Sequence, residues 1–235
     1  MSSPEDQGPA PPRLTSSIRF NSLVLGLFAL VTALLLATTY LGTRDTIAEA
    51  EREAAQRSLL EIFPPDSHDN DLLDDTIPVP KPYWSTLGLD KGGDIHVARR
   101  DGRIVGFIVP AVAPDGYNGD IRLLVGLRPD GTIAGVRVTS HSETPGLGDK
   151  VDLKISDWIL GFNGKSLGNR RREDWAVKKD GGSFDQFTGA TITPRAVVAR
   201  VLRTLLFFRD HGGELVKAAK KATPAAATTT NSKAD

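Results

Sequence analysis

The chain has 235 residues, with 29 basic and 29 acidic side chains and no cysteine. Its formal charge of zero provides no basic surface for nucleic acid, so we expect no nucleic-acid partner. The lack of cysteine excludes disulfides, iron–sulfur clusters and thiolate metal sites. If the protein carries electrons, an organic cofactor must therefore do it. The length allows one sizeable domain together with additional segments.

The N-terminal region predicts a membrane anchor. Residues 1–19 are mostly Pro-, Ser- and Gly-rich and predict a disordered tail. No charged residue occurs over 20–43, a run longer than the roughly 20 residues that cross a bilayer core. A cleavable signal peptide is the alternative, but it needs a shorter apolar region followed by a small-x-small site, which 37–44 fits poorly. Basic residues flank the run on both sides, so their count does not set the orientation.

Residues 44–82 predict a connector. A helical pattern continues over 46–63, and the following Pro64-Pro65 pair should end it. The next residues are acidic and then Pro-rich, which indicates an extended, solvated linker. His68 lies among these acids, and we interpret it as part of a solvated segment rather than as a metal ligand.

Four short apolar runs predict a largely antiparallel sheet within a domain over 83–213. The runs are 95–100, 104–112, 121–127 and 133–139, and turn sequences such as Asp101-Gly102 separate them. A later helix must cover one face of this sheet, so the fold class is α+β. The segment 151–162 predicts a short helix, and Trp158 and Trp175 are predicted core residues.

The segment that follows predicts a long amphipathic helix. Thr193 is placed to cap it, Pro194 suits its first position, and an apolar stripe follows as far as Gly212-Gly213. Residues 214–235 then predict a disordered tail. Thr191 offers a hydroxyl near the helix N-terminus, where unpaired N–H groups and the helix dipole favour a phosphate. Taken alone, this pattern is more typical of a simple capped helix.

A second motif, the run ETPGLG over 143–148, follows the last predicted strand. A Gly- and Pro-rich loop at a strand end is a usual place for ligand contacts. Side chains and amides of this loop would suit the polar edge of a ring, and Leu147 would suit its face. His141 and Glu143 raise the alternatives of acid/base or metal chemistry, and a simple strand-ending turn is the remaining one.

The two motifs together give a family resemblance. The run FDQFTGATIT over 184–193 resembles the flavinylation motif of FMN-binding-domain proteins, and ETPGLG resembles their other characteristic stretch. The wider similarity, over about 15–213, is to the G subunit of the Rnf electron-transport complex. A related protein is the C subunit of the sodium-translocating NADH:quinone reductase.

The resemblance implies a covalent flavin. FMN would be joined through a phosphoester to Thr191 by an ApbE-type flavin transferase, which takes FMN from FAD and needs Mg²⁺. That transferase would recognise Asp185 and the residues before the acceptor. The implied cofactor-binding residues are Thr191, Thr188, Gly189, Ala190, Glu143, Thr144, Leu147 and Gly148, with no metal ligand and no separate catalytic residue.

The resemblance also implies a cellular role. The protein would be a single-pass subunit in the bacterial inner membrane, with a cytoplasmic N-terminus, a periplasmic C-terminal domain and other subunits of the complex as partners. Such complexes couple electron flow between ferredoxin and NAD to ion movement, and this chain would supply one flavin relay. The alternatives are the flavin subunit of a sodium-translocating quinone reductase, a regulatory flavoprotein of the same domain family, and an anchored scaffold without redox activity.

Overall fold

The structure is a computed structural model that describes residues 14–222. The chain divides into two units, residues 1–53 and 54–235. In the first unit every described residue is helical and belongs to α1 (Leu14–Leu60). The segment Ile18–Leu60 is long and apolar enough, by length and composition, to cross a membrane. The predicted anchor is therefore helical.

The predicted tail over 1–19 is only partly testable, because residues 1–13 lie outside the described chain. From Leu14 onward the chain is helical, so the prediction of disorder is wrong for the last residues of that segment. The apolar run that follows continues the same helix without a break. The helix also includes the residues before the uncharged run, because adding residues to an existing helix costs less free energy than nucleating a new one.

The second unit contains a five-stranded antiparallel sheet in the order of the chain. Four of the strands confirm the predicted ones, and a short edge strand precedes them. Glycine-containing turns join the neighbouring long strands. The strands are β1 (Thr76–Pro78), β2 (Asp94–Arg100), β3 (Arg103–Gly116), β4 (Gly119–Leu127) and β5 (Ile133–Ser140).

Helices cover the sheet, which confirms the α+β class. A one-turn helix, α2 (Trp84–Leu87), precedes β2, and the long α3 (Ile192–Lys221) packs on one face. On β3, Phe107 and Val109 point toward α3, and the Phe107 ring lies 5.8 Å from that of Phe208. The period of two in a strand sends the residue between them, Ile108, to the opposite face.

The opposite face of the sheet is covered by the end of α1 and the segment after it. Leu59, Ile62, Phe63 and Leu72 form a second buried cluster there with Ile108 and Ala98. The fit is close, since a Cβ on Gly126 would lie 2.1 Å from the Ile62 side chain. The sheet is therefore buried on both sides, and the domain begins before the predicted boundary at 83.

The prediction of a solvated linker over 66–82 is wrong. Leu72, Ile77 and Val79 are buried, and Asp75 forms a buried ion pair with Arg99 at 2.7 Å. The Arg99 guanidinium also donates to the carbonyl of Ala219 near the end of α3. The acidic composition concealed this role, because one of the acids is neutralised by a partner on β2.

Helix α3 differs from its predicted form at both ends. It begins at Ile192 rather than after Thr193, and it continues through Gly212-Gly213 to Lys221. Leu215 and Ala219 extend the buried stripe, and their packing outweighs a cost of about 1 kcal/mol for each internal glycine. The predicted tail is thus helical as far as Lys221, and residues 223–235 lie outside the described chain.

The predicted helix over 151–162 is instead two 3₁₀ turns, Gly148–Val151 and Asp157–Phe162. The Ser156 side chain accepts from the Trp158 amide at 3.1 Å and starts the second turn, so no continuous α-helix forms. Ile159 and Phe162 of the second turn are fully buried. Trp175 is buried and Trp158 packs against the core, as predicted.

Replacing Ile62 with Ala should destabilise the domain by about 2–5 kcal/mol, because the cavity left against Gly126 cannot easily collapse. Ile155→Ala is the matched control: Ile155 is 57% exposed, so its loss should change stability by less than about 0.5 kcal/mol. Denaturant unfolding of the detergent-solubilised protein, followed by tryptophan fluorescence, measures both. Equal destabilisation by the two variants would contradict the packing of Ile62 in the second buried cluster.

Candidate functional site

A cavity of about 260 Å³ lies at the N-terminus of α3. The loop after β5, the β3–β4 hairpin tip and the segment before α3 form its walls. Seven of the eight predicted site residues line it, and the exception is Thr188, which is exposed nearby. The lining residues are Tyr117, Glu143, Thr144, Leu147, Gly148, Gly189, Ala190, Thr191, Ile192 and Thr193.

Glu143 joins the three segments that form the cavity. Its carboxylate is buried and accepts hydrogen bonds from the Thr193 hydroxyl in the first turn of α3 and from the Asn118 amide in the hairpin, the latter at 3.0 Å. Two glycines make room for it, since a Cβ on Gly116 or on Gly148 would lie 2.8 Å from a carboxylate oxygen. Glu143 therefore fixes the relative positions of the cavity walls.

This arrangement explains why Thr193 does not cap α3. The capping position belongs to Thr191, and the Thr193 side chain is fully buried against Glu143, 50 residues away in the chain. A local capping pattern cannot reveal a partner at that distance. Pro194 still lies in the first turn, where its missing N–H costs no hydrogen bond.

Thr191 is half-buried at the cavity and makes no capping hydrogen bond to its own helix. Its backbone already has helical angles, with φ −70° and ψ −26°, and its carbonyl accepts from the Arg195 amide at 3.3 Å. The side chain at a capping position normally satisfies an amide of the first turn. Here the hydroxyl is left available at the positive end of a long helix.

Buried aromatic side chains pack against one another in and around the segment before Thr191. Phe184 and Phe187 are buried, Phe184 stacks on Phe162 at 4.5 Å, and Phe187 meets Trp158 edge-on at 5.2 Å. The Trp158 indole N–H also donates to the carbonyl of Asp185 at 2.8 Å. The loop that presents Thr191 is therefore fixed by side chains of the same motif.

Gly189 has a φ of +80°, which favours glycine, and it turns the chain between Phe187 and Ala190. The Ala190 amide donates to the carbonyl of Phe187 at 3.1 Å and closes this turn. A glycine followed by a small residue at these positions keeps the backbone next to Thr191 accessible from the cavity.

The amides of the loop over 143–149 donate hydrogen bonds to acceptors within the loop itself. The amides of Leu147 and Gly148 both donate to the carbonyl of Thr144 at 3.1 Å, and the Gly146 amide donates to Asp149 at 2.9 Å. Each of these amides therefore already has an acceptor within the loop, and their contact with a ring edge stays a prediction. The loop presents the Leu147 side chain, which is 41% exposed, to the cavity.

The charges around the helix start are paired. Arg195 donates to both carboxylate oxygens of Asp180, at 2.6 and 2.9 Å, and this hydrogen bonding holds the pKa of Asp180 below its ordinary value. Lys178 forms an ion pair with Asp185. Both pairs are solvent-exposed, and exposed pairs contribute little to stability. They orient the side chains around the motif.

The alternatives for His141 find no support in its surroundings. Its Nδ1 accepts from the Glu143 amide at 3.1 Å, so the ring orders the loop. Among residues 14–222 no group of three or more His, Cys, Asp or Glu side chains is arranged to hold a metal ion.

Two family matches cover most of the chain. Residues 116–205 match the FMN-binding domain, and residues 12–62 match the RnfG N-terminal region. The G subunit of the ion-translocating oxidoreductase complex from Pseudomonas aeruginosa is 53% identical over 188 residues, which are 80% of this chain and 87% of that protein. The corresponding G subunit of Vibrio cholerae is 45% identical over 202 residues, or 86% and 95% of the two chains.

The chain belongs to the RnfG family. A third relative, the G subunit from Pseudoalteromonas atlantica, is 48% identical over 191 residues, or 81% of this chain and 88% of that protein. The match to the FMN-binding domain begins at Gly116 and ends within α3, so it contains all three walls of the cavity. Membership in the RnfG family thus agrees with the resemblance that the two motifs gave.

Three residues that line the cavity were not predicted site residues: Tyr117, Ile192 and Thr193, the last of which was predicted only as a helix cap. Tyr117 and Ile192 are exposed by 64% and 45%. Ile192 lies inside the motif, directly after Thr191, and this position could have marked it as a site residue. Tyr117 is far away in the chain, and only the Gly-Tyr-x-Gly turn marked its position.

Gly148→Ala should destabilise the domain by about 1–3 kcal/mol, because the added methyl group meets both Glu143 and Thr193 within 2.8 Å. Gly161→Ala is the control, since a Cβ there has open space and the backbone has no positive φ. Thermal unfolding of the purified variants measures the difference. The role of Glu143 would be contradicted if Gly148→Ala unfolded like Gly161→Ala.

Proposed function

We propose that this protein is the electron-relay subunit of an Rnf-type ion-translocating oxidoreductase complex and carries FMN covalently on Thr191. The observation that carries the proposal is the free Thr191 hydroxyl, which lies at a helix N-terminus and at a cavity inside a region that matches the FMN-binding domain. The relatives named as the G subunit of such a complex support the assignment to the complex.

The attachment is a phosphoryl transfer to an alcohol. The Thr191 oxygen forms a bond to the FMN phosphorus of FAD, the bond between the two phosphates of FAD breaks, AMP leaves, and the hydroxyl proton is released. An ApbE-type flavin transferase with Mg²⁺ catalyses this step, and Thr188, Gly189, Ala190 and Asp185 are the residues that it recognises. Thr188 and Asp185 are exposed and lie on the approach to Thr191.

The start of α3 suits the phosphodiester that results. The first amides of a helix have no partner within the helix, and the helix dipole favours a negative charge there by about 0.3–1 kcal/mol. This contribution orients the phosphate but is too small to hold a cofactor. The covalent bond to Thr191 removes the need for further affinity.

The cavity suits part of a flavin. Cavities that enclose a drug-sized ligand usually measure about 300–1,000 Å³, so this one would leave part of the ring system outside. Leu147 and Ile192 would provide apolar contacts to the ring, and Glu143, Thr144 and Gly148 would form the wall beside it. When bound, FMN supplies reversible acceptance and donation of electrons, and the protein supplies its orientation and electrostatic surroundings.

The location follows from the same proposal. Residues 20–43 of α1 would cross the bacterial inner membrane once, and the sheet domain would lie in the periplasm beside the other subunits. The domain needs no substrate pocket of its own in this role. A relay that leaves one side of its cofactor outside the cavity can exchange electrons with a neighbouring subunit.

Thr191→Ala should abolish covalent flavin, because no oxygen remains to attack the phosphorus. Thr191→Ser should keep partial modification, since the nucleophilic oxygen survives. Thr139→Ala is the control and should retain the flavin, because Thr139 is exposed on β5, outside the motif, and does not line the cavity. In-gel fluorescence of denatured protein, produced together with a flavin transferase, measures all three variants. Full emission from Thr191→Ala would place the attachment on another residue.

A further inference from the structure

Exposed large apolar side chains concentrate around the cavity. In the described part of the sheet domain, residues 54–222, they are Tyr117, Leu147, Ile155 and Ile192, and all but Ile155 line the cavity. Exposing such side chains has a cost in water, and a group of them marks a binding surface. These three side chains form the rim of the cavity.

Tyr117 differs from the other two residues of the rim because of how it is held. It lies in the tight turn between β3 and β4, between Gly116 and Asn118. The Asn118 amide donates to Glu143 at 3.0 Å, and the Asn118 side chain donates to the Thr144 hydroxyl at 3.2 Å. The backbone directly after Tyr117 is therefore fixed to the wall of the cavity, although the Tyr117 side chain is 64% exposed.

Tyr117 is also the one aromatic residue among the ten that line the cavity in the described chain. The tryptophans of the domain serve the core or other loops, and Tyr83 packs on Phe207 and His211 away from the cavity. A planar aromatic side chain that is fixed at its backbone and exposed at its ring suits stacking against a second planar ring.

We infer that Tyr117 stacks on one face of the isoalloxazine ring of the tethered flavin at the rim of the cavity. This inference rests on the proposed function and deepens it. The fixed hairpin limits the conformational entropy that Tyr117 loses on contact. Stacking brings the phenol close enough to quench the flavin: one electron passes from the phenol to the photoexcited ring and returns, so no net oxidation occurs.

The experiment compares full-length protein carrying Tyr117, Tyr117→Phe or Tyr117→Leu, each produced with a flavin transferase in detergent. Intact mass first gives the fraction of each protein that carries FMN. Flavin emission per bound FMN is then measured in the folded protein and after denaturation, together with the visible circular dichroism of the folded form. Tyr83→Phe is the control, because it removes the other phenol of the domain without touching the cavity.

We expect the emission of the folded protein to rise severalfold in both Tyr117 variants, because neither phenylalanine nor leucine carries a phenol that can donate an electron to the photoexcited ring. After denaturation, the flavin emission per bound FMN should be the same for all of the proteins. Tyr117→Phe should keep the visible circular dichroism of the parent, since a ring remains, whereas Tyr117→Leu should change it. Tyr83→Phe should behave like the parent.

Unchanged emission from loaded Tyr117→Phe and Tyr117→Leu would overturn the inference while leaving the attachment at Thr191 intact. Failure of both variants to acquire FMN would also overturn it, because Tyr117 would then act in recognition by the transferase. If only Tyr117→Leu fails to load, Tyr117→Phe still decides the question through its emission. A parent protein without FMN mass would instead contradict the proposed function.

Discussion

The hydrogen bond between the Thr193 hydroxyl and the Glu143 carboxylate is the contact on which the site depends. It joins the first turn of α3 to the loop after β5, and the same carboxylate holds the β3–β4 turn through Asn118. Hydrogen bonds to charged groups contribute about 1.5–3 kcal/mol, and a buried carboxylate without its partners would cost more. The cavity and the position of Thr191 follow from this junction.

The sheet provides the rigid base for that junction. α3 covers one face and the segment around Ile62 covers the other, so the strands that carry the cavity walls are packed on both sides. The buried ion pair of Asp75 and Arg99 links the segment after α1 to α3, because the Arg99 guanidinium also donates to the carbonyl of Ala219 in α3. The covalent attachment that we propose would need a fixed frame more than an enclosing pocket, and this fold provides such a frame.

Much of the fold and site could be predicted, because the informative patterns are local. The strands alternate with a period of two, and the proposed modification motif is one contiguous run of the sequence. The failures have nonlocal causes: Thr193 bonds to Glu143 across 50 residues, and packing carries α3 past Gly212-Gly213. Likewise the acidic segment over 66–82 packs against the domain through partners on β2. Tyr117 lines the cavity because the β3–β4 hairpin brings it there, although it is far from the motif in the chain.

The most direct test of covalent attachment is fragmentation mass spectrometry of the peptide that contains Thr191, from protein made with a flavin transferase. We expect this peptide to carry the mass of FMN less one water, with the added group on the Thr191 oxygen. An unmodified Thr191 peptide, or the same added mass on a different residue, would contradict the proposed attachment.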